Sequence, residues 1–192
     1  MLLLTLACSK EETEAGEWDN WQQRNEVYFA SLQDSLRQAP AQWRRIKKYT
    51  LDPATEGMPT DYVYVKTIAE GTDTESPAYT DSVRIIYRGR LIPSATYPQG
   101  FVFEETVKGT FSQATSSTYA QPLSVFVDGF ATALQYMHRG DHWRVYIPSD
   151  LGYGDSDNTG VPPYSTLIFD LILVDFSPAG EPLPAWSSRQ RQ

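Results

Sequence analysis

Gly140-Asp141-His142-Trp143-Arg144-Val145-Tyr146-Ile147-Pro148, then Leu151-Gly152-Tyr153-Gly154, then Val161-Pro162-Pro163-Tyr164-Ser165-Thr166-Leu167-Ile168-Phe169, form the stretch that decides the fold. Trp143, Val145 and Ile147 alternate, and so do Leu167, Phe169, Leu171 and Leu173. Each set reads as one face of a half-buried strand. Between them, Gly-Tyr-Gly and Pro-Pro mark two turns.

Further strands are read upstream. Tyr62 to Ile68 is one, closed by Glu70-Gly71. Val83-Arg84-Ile85-Ile86-Tyr87 is another, with Val83, Ile85 and Tyr87 on one face, and Gly100-Phe101-Val102-Phe103 opens a third. The polar runs Gly71–Asp81 and Thr106–Gln121 read as loops. Asp128 is a good helix N-cap. Phe130, Ala133, Leu134 and Met137 then make the buried stripe of a short helix that Gly140 ends. The fold class is α+β: an antiparallel sheet curled around one short helix.

Ahead of this unit, Trp18, Trp21, Tyr28, Phe29, Leu32 and Leu36 recur at helical spacing without Gly or Pro, so an amphipathic helix is predicted from Glu17 to about Gln38. Pro40 interrupts it. A second helical piece is expected to carry Trp43, Ile46 and Tyr49. So rich an aromatic stripe needs cover, either the following domain or a second copy of the chain. The expected organisation is a leader and tether (1–16), a helical segment (17–50), a linker (51–60), the main domain (61–176) and a loose tail (177–192).

Composition sets limits. The chain has 192 residues, 41% of them hydrophobic, and a net charge of -8. That supports a true core and argues against nucleic-acid binding, which asks for a basic face. Cys8 is the single cysteine, so no intrachain disulfide can form. His138 and His142 have the spacing of a helical metal pair, but Gly140 lies between them, and no metal site is expected. Asp155 to Gly160 looks like the first half of a calcium loop, yet the twelfth position is Thr166 rather than Glu. No run is long and apolar enough for a membrane-spanning helix.

These motifs, in this order, resemble the FKBP-type peptidyl-prolyl isomerases over roughly residues 60 to 176. The resemblance implies an aromatic pocket between sheet and helix that holds a substrate proline and interconverts cis and trans X-Pro bonds, with no cofactor. It implies Tyr87 (from Ile86-Tyr87-Arg88-Gly89), Phe103 and Glu104 (Phe103-Glu104-Glu105-Thr106), Tyr153 (Leu151-Gly152-Tyr153-Gly154) and Phe169 (Leu167-Ile168-Phe169-Asp170) as catalytic residues. It implies Phe126, Val127 and Phe130 (Phe126-Val127-Asp128-Gly129-Phe130) and Val161 (Val161-Pro162-Pro163) as substrate contacts. Two positions depart from the family pattern: Phe130 stands where the family has Trp, and Glu104 where it has Asp.

The first residues, Met1 to Ala7 and then Cys8, resemble the end of a bacterial lipoprotein signal, cleaved so that Cys8 carries lipid. Ser9-Lys10-Glu11-Glu12 resembles the surface-export signal of Bacteroidetes lipoproteins. The expected protein is an envelope-located, lipid-anchored isomerase that assists the folding of exported proteins. Its partners are proline-containing polypeptides and, through the N-terminal helix, a second copy. The alternatives are a non-catalytic binding module with the same fold and a structural surface lipoprotein. Taken singly, Phe103, Phe130 and Phe169 are ordinary core residues; the motif order gives them a site role.

Overall fold

The computed structural model describes residues 16–113, 115–158 and 160–186. The quoted stretch forms strands β6 (His142–Ile147) and β7 (Leu167–Ser177), by our chain-order numbering. Before them come α1 (Trp21–Gln38), β1 (Trp43–Lys47), β2 (Tyr62–Ala69), β3 (Ser82–Arg90), β4 (Val102–Glu105), β5 (Tyr119–Pro122) and α2 (Asp128–Leu134). One antiparallel seven-stranded sheet runs β1-β2-β6-β7-β3-β4, with β5 pairing the other end of β3.

Register sorts the side chains. Val65, Val145 and Phe169 lie side by side across β2, β6 and β7, and Trp143, Leu171 and Tyr87 form the next row on the same face. Helix α2 closes over this inner face, with Phe130, Ala131, Ala133 and Leu134 all buried against it. Tyr64, Tyr146 and Ile168 form a row one residue out of step, and so face outward.

Helix α1 covers one end of that outer face. Phe29 meets Tyr64 edge-on at 5.2 Å, Tyr28 lies 6.4 Å from Tyr146, and Trp43 stacks on Tyr146 at 5.3 Å. Of the predicted stripe, Trp21, Phe29 and Leu32 are buried, and Asn25 is buried between them. The chain's own sheet thus takes up the stripe. At the other end, Ile86, Val107, Ile172 and Val174 form a small second cluster capped by Phe111 and Trp186. Between the two, Asp170 accepts from both Arg90 and Arg144 at 2.8 Å.

Several expectations are corrected. The piece around Trp43 is not helical. It is strand β1, paired with β2 from Trp43↔Lys66 to Lys47↔Tyr62, and Pro40 ends the helix early enough to allow the change. Residues 51–60 are therefore the loop of a hairpin, gathered by the Lys47 ammonium on the carbonyls of Pro53 and Thr55. The run Thr106–Gln121 is not all loop, because Tyr119 begins β5. Asp128 is the first residue of α2 rather than its cap, and its carboxylate accepts from Tyr49. Helix α2 ends at Leu134, and Gly140, at φ 92°, makes the later turn into β6. The tail is not loose throughout: Arg84 donates to the Pro184 carbonyl and Trp186 is half-buried.

Candidate active site

An inner-face cavity of about 180 Å³ opens between the sheet and α2. Tyr87 of β3, Glu104 of β4, Tyr119 of β5, Phe130 of α2 and Phe169 of β7 line it. Val125, Phe126 and Val127 enter from the turn before α2, and Tyr153 from the turn after β6. Phe130 and Phe169 meet nearly perpendicular at 4.8 Å, and both are buried. Phe126 stacks on Phe130 at 4.9 Å, and Tyr87 closes the corner about 6 Å from both Phe130 and Phe169.

A bulge delivers the carboxylate. Gly89 pairs with Glu104 and Arg90 with Val102, so Phe103 is the extra residue in β4. Ordinary pleating would send Phe103 and Glu104 to opposite faces; the bulge lets both turn inward. The Phe103 ring lies over Gly89 and meets Phe169 edge-on at 5.6 Å. A side chain at 89 would clash, since a Cβ there would sit 2.6 Å from Phe103 and 2.7 Å from Phe169.

The polar groups are few. The Tyr87 hydroxyl donates to Glu104 Oε1 at 2.7 Å. Burial, and then the Glu104 carboxylate, push the Tyr87 phenol well above its ordinary range. Burial and the same carboxylate push Tyr153 up. Both phenols are therefore fixed as O–H groups at neutral pH. The cavity can hold a small apolar ring, offer a donor to a carbonyl and place a negative charge at one wall.

The structure brings together Tyr87, Glu104, Phe126, Val127, Phe130, Tyr153 and Phe169. It does not put Phe103 or Val161 on the cavity wall. Phe103 stands behind Phe169. Val161, buried, borders a neighbouring hollow of about 370 Å³ with Trp18, Phe101 and Pro163. Tyr119 and Val125 line the cavity without a sequence prediction. Each sits in a short element whose pattern is too brief to show a face. Cys8 lies outside the described residues. Among those residues no group of three or more His, Cys, Asp or Glu is placed to hold a metal, and no helix is long and apolar enough to cross a membrane.

Comparison with known proteins gives a consistent result. The family profile described as FKBP-type peptidyl-prolyl cis-trans isomerase matches residues 73–174. A macrophage infectivity potentiator of Trypanosoma cruzi is 34% identical over 130 residues, covering 67% of this chain and 60% of that one. The isomerase FkpA of Escherichia coli is 28% identical over 137 residues, covering 69% and 44%. The outer membrane protein MIP of Legionella longbeachae is 34% identical over 115 residues, covering 59% and 44%. The chain thus spans between 44% and 60% of the length of these relatives. Among solved structures, FkpA of Escherichia coli superposes with TM-score 0.57 at 22% identity, over 84% of this chain and 63% of that one. A peptidyl-prolyl isomerase of Pseudomonas syringae gives 0.55 at 21%, over 86% and 98%. At these identities the superpositions speak for the fold.

Proposed function

Because this chain belongs to the FKBP-type peptidyl-prolyl cis-trans isomerase family, we propose that it interconverts the cis and trans forms of X-Pro bonds in polypeptides. The carrying observation is the closed aromatic corner of Phe130, Phe169 and Tyr87, with Tyr153 and Glu104 as its polar groups. An amide is planar through resonance, and its rotation is opposed by about 18–20 kcal/mol. Twisting removes conjugation and reduces charge separation, so a dry apolar cavity favours the twisted amide relative to the planar one. Phe130 and Phe169 would seat the proline ring, with Phe126 and Val127 along its edge. Tyr153 would donate to a substrate carbonyl. Glu104, held by Tyr87, would orient or polarise, since the reaction moves no net proton.

Phe103 would act by propping Phe169, and Val161 by filling the core beside the substrate cavity. The test is a protease-coupled isomerisation assay on a short proline peptide. Catalysis proportional to protein supports the enzyme. Proline-peptide binding without catalysis would make the chain a binding module, and neither would make it a structural lipoprotein.

The cellular setting follows as part of the same reading: an envelope protein, lipid-anchored at Cys8, assisting exported chains. The apolar start ending in Ala7-Cys8 supports it, as does likeness to a relative named an outer membrane protein. With Trp21, Phe29 and Leu32 buried within their own chain, dimerisation through these side chains loses its motive, and the catalytic unit is read as one chain.

A further inference from the structure

Helix α1 lies on the face away from the cavity, yet its first turns reach the hairpin that carries Tyr153. The Trp21 indole N–H donates to Ser165 Oγ at 2.8 Å. The Asn25 side chain donates to the Trp21 carbonyl and accepts the Thr166 backbone N–H, both at 2.8 Å. All four residues are buried. They span more than a hundred positions of sequence, so these bonds join the N-terminal segment to the far end of the chain.

The pinned residues are not ordinary loop. Tyr164, next to Ser165, has φ 60°, a left-handed conformation that a bulky side chain seldom adopts. Such a residue persists only where its surroundings over-determine it. On one side Trp21 and Asn25 fix Ser165 and Thr166. On the other, the Tyr164 N–H donates to the Gly154 carbonyl at 2.8 Å, and the Gly154 N–H donates to Ser149 at 2.9 Å. Gly154 is the neighbour of Tyr153, whose phenol lines the cavity. A continuous path of bonded groups thus runs from α1 through Thr166, Ser165 and Tyr164 to Gly154 and the Tyr153 hydroxyl.

We propose that Asn25, assisted by Trp21, is a positioning residue for catalysis that sets the Tyr153 hydroxyl through the strained Tyr164 turn. The proposal rests on the isomerase reading for its kinetic consequence. The structural claim stands separately.

The test is a double-mutant cycle on kcat/KM for a proline peptide, with each variant shown to be folded. Asn25→Ala is expected to lower kcat/KM by about three- to ten-fold, the equivalent of one hydrogen bond at the site. In a Tyr153→Phe background it should cost nothing further, because the group it positions is already gone. A general loosening of the fold would lower both backgrounds alike, and that result overturns the proposal, as does a folded Asn25→Ala protein with the parent's kcat/KM. Should Asn25→Ala not fold, Ser165→Ala, which removes the acceptor of the Trp21 N–H and leaves the indole in place, takes its place with the same two outcomes. If the parent shows no isomerase activity, the functional reading falls. The clamp is then judged by amide hydrogen exchange at Gly154 and Tyr164, expected to quicken about ten-fold or more in Asn25→Ala. Unchanged exchange overturns it.

Discussion

The Tyr87 phenol donates to the Glu104 carboxylate across 2.7 Å, from a buried ring on β3 to an exposed residue on β4. The bond ties the wall of the cavity to its rim. Because the carboxylate keeps access to water, Tyr87→Phe leaves no stranded charge. A loss of about 0.5–1 kcal/mol of stability is expected, at the low end for a hydrogen bond. Chemical denaturation of the two proteins measures it.

The same pair bears on pH. Tyr87 and Tyr153 are pushed above the ordinary phenol value, chiefly by burial. Tyr28 is pushed up to about 12 by burial and by Tyr146. Raised folded values mean that the contribution of these groups is fully present below the unfolded value of about 10 and is lost as pH rises through the folded values. Activity should therefore be nearly flat from about pH 6 to 9, and these phenols should lower the melting temperature only on the alkaline side. A rate that titrates near neutrality would assign a proton transfer to the site and contradict the proposed mechanism.

His142 gives the opposite sign. Burial holds its imidazole below the ordinary histidine value, and it stacks on Phe111 at 4.9 Å. A depressed folded value contributes stability that is present above the unfolded value of about 6.5 and lost as pH falls through the folded one. Stability should therefore decline on acidification, and His142→Leu should flatten that decline. Melting curves of both proteins between about pH 4 and 8 decide it.

Asp170 is buried on the outer face, between Arg90 and Arg144. Its removal leaves two guanidinium groups facing each other across β7. Asp170→Ala should destabilise by about 2–4 kcal/mol, below the figure for a fully buried pair because both arginines reach solvent. The folded fraction should keep its kcat/KM, since the neighbouring Phe169 points the other way. A selective loss of activity would place Asp170 in the site.

How much of this was legible in the sequence follows the length of each pattern. Strands β6 and β7 announce themselves because Trp143, Val145, Ile147 and Leu167, Phe169, Leu171 alternate over a useful span. The α1 stripe was legible, but not its destination: nothing local distinguishes a helix packed on its own sheet from one awaiting a partner. Strand β1 was missed because Trp43, Ile46 and Tyr49 have helical spacing, while its strand state depends on pairing with Tyr62–Lys66. The bulge at Phe103 was invisible for the same reason, since two-against-one pairing is a property of two strands. The polar Asn25 carries no sequence signal of its own; its role exists only beside Thr166.

The α1 packing changes what truncation should do. A chain beginning near Pro59 would lose β1 as well as α1 and bare Tyr64, Tyr146 and Ile168. Burial of Trp21, Phe29 and Leu32 is worth about 1.5–3 kcal/mol per large side chain. The shortened chain should therefore be largely unfolded or aggregated, while the intact chain sediments as a monomer. A well-folded short chain together with a dimeric parent would restore the dimer reading.

The decisive contrast for the mechanism is between apolar truncation and loss of charge. Phe130→Ala removes the cavity floor, where the ring meets Phe169, Phe126 and Tyr87, and should reduce kcat/KM most. It should also destabilise by about 3–5 kcal/mol, so refolded protein must be assayed well below its melting point. Phe103→Ala leaves the floor but withdraws the edge-on support of Phe169 and opens space above Gly89. A loss of about ten-fold is expected, or roughly 1.4 kcal/mol of transition-state binding. Glu104→Gln keeps an acceptor for Tyr87 and should cost less than Phe103→Ala. Tyr153→Phe should cost one hydrogen bond, about 0.5–1.5 kcal/mol. Desolvation and shape thus predict the order Phe130, Phe103, then the polar residues. If Glu104→Gln abolished turnover while folded Phe103→Ala retained it, the cavity would be working by charge, and the account of a dry aromatic seat for proline would be wrong.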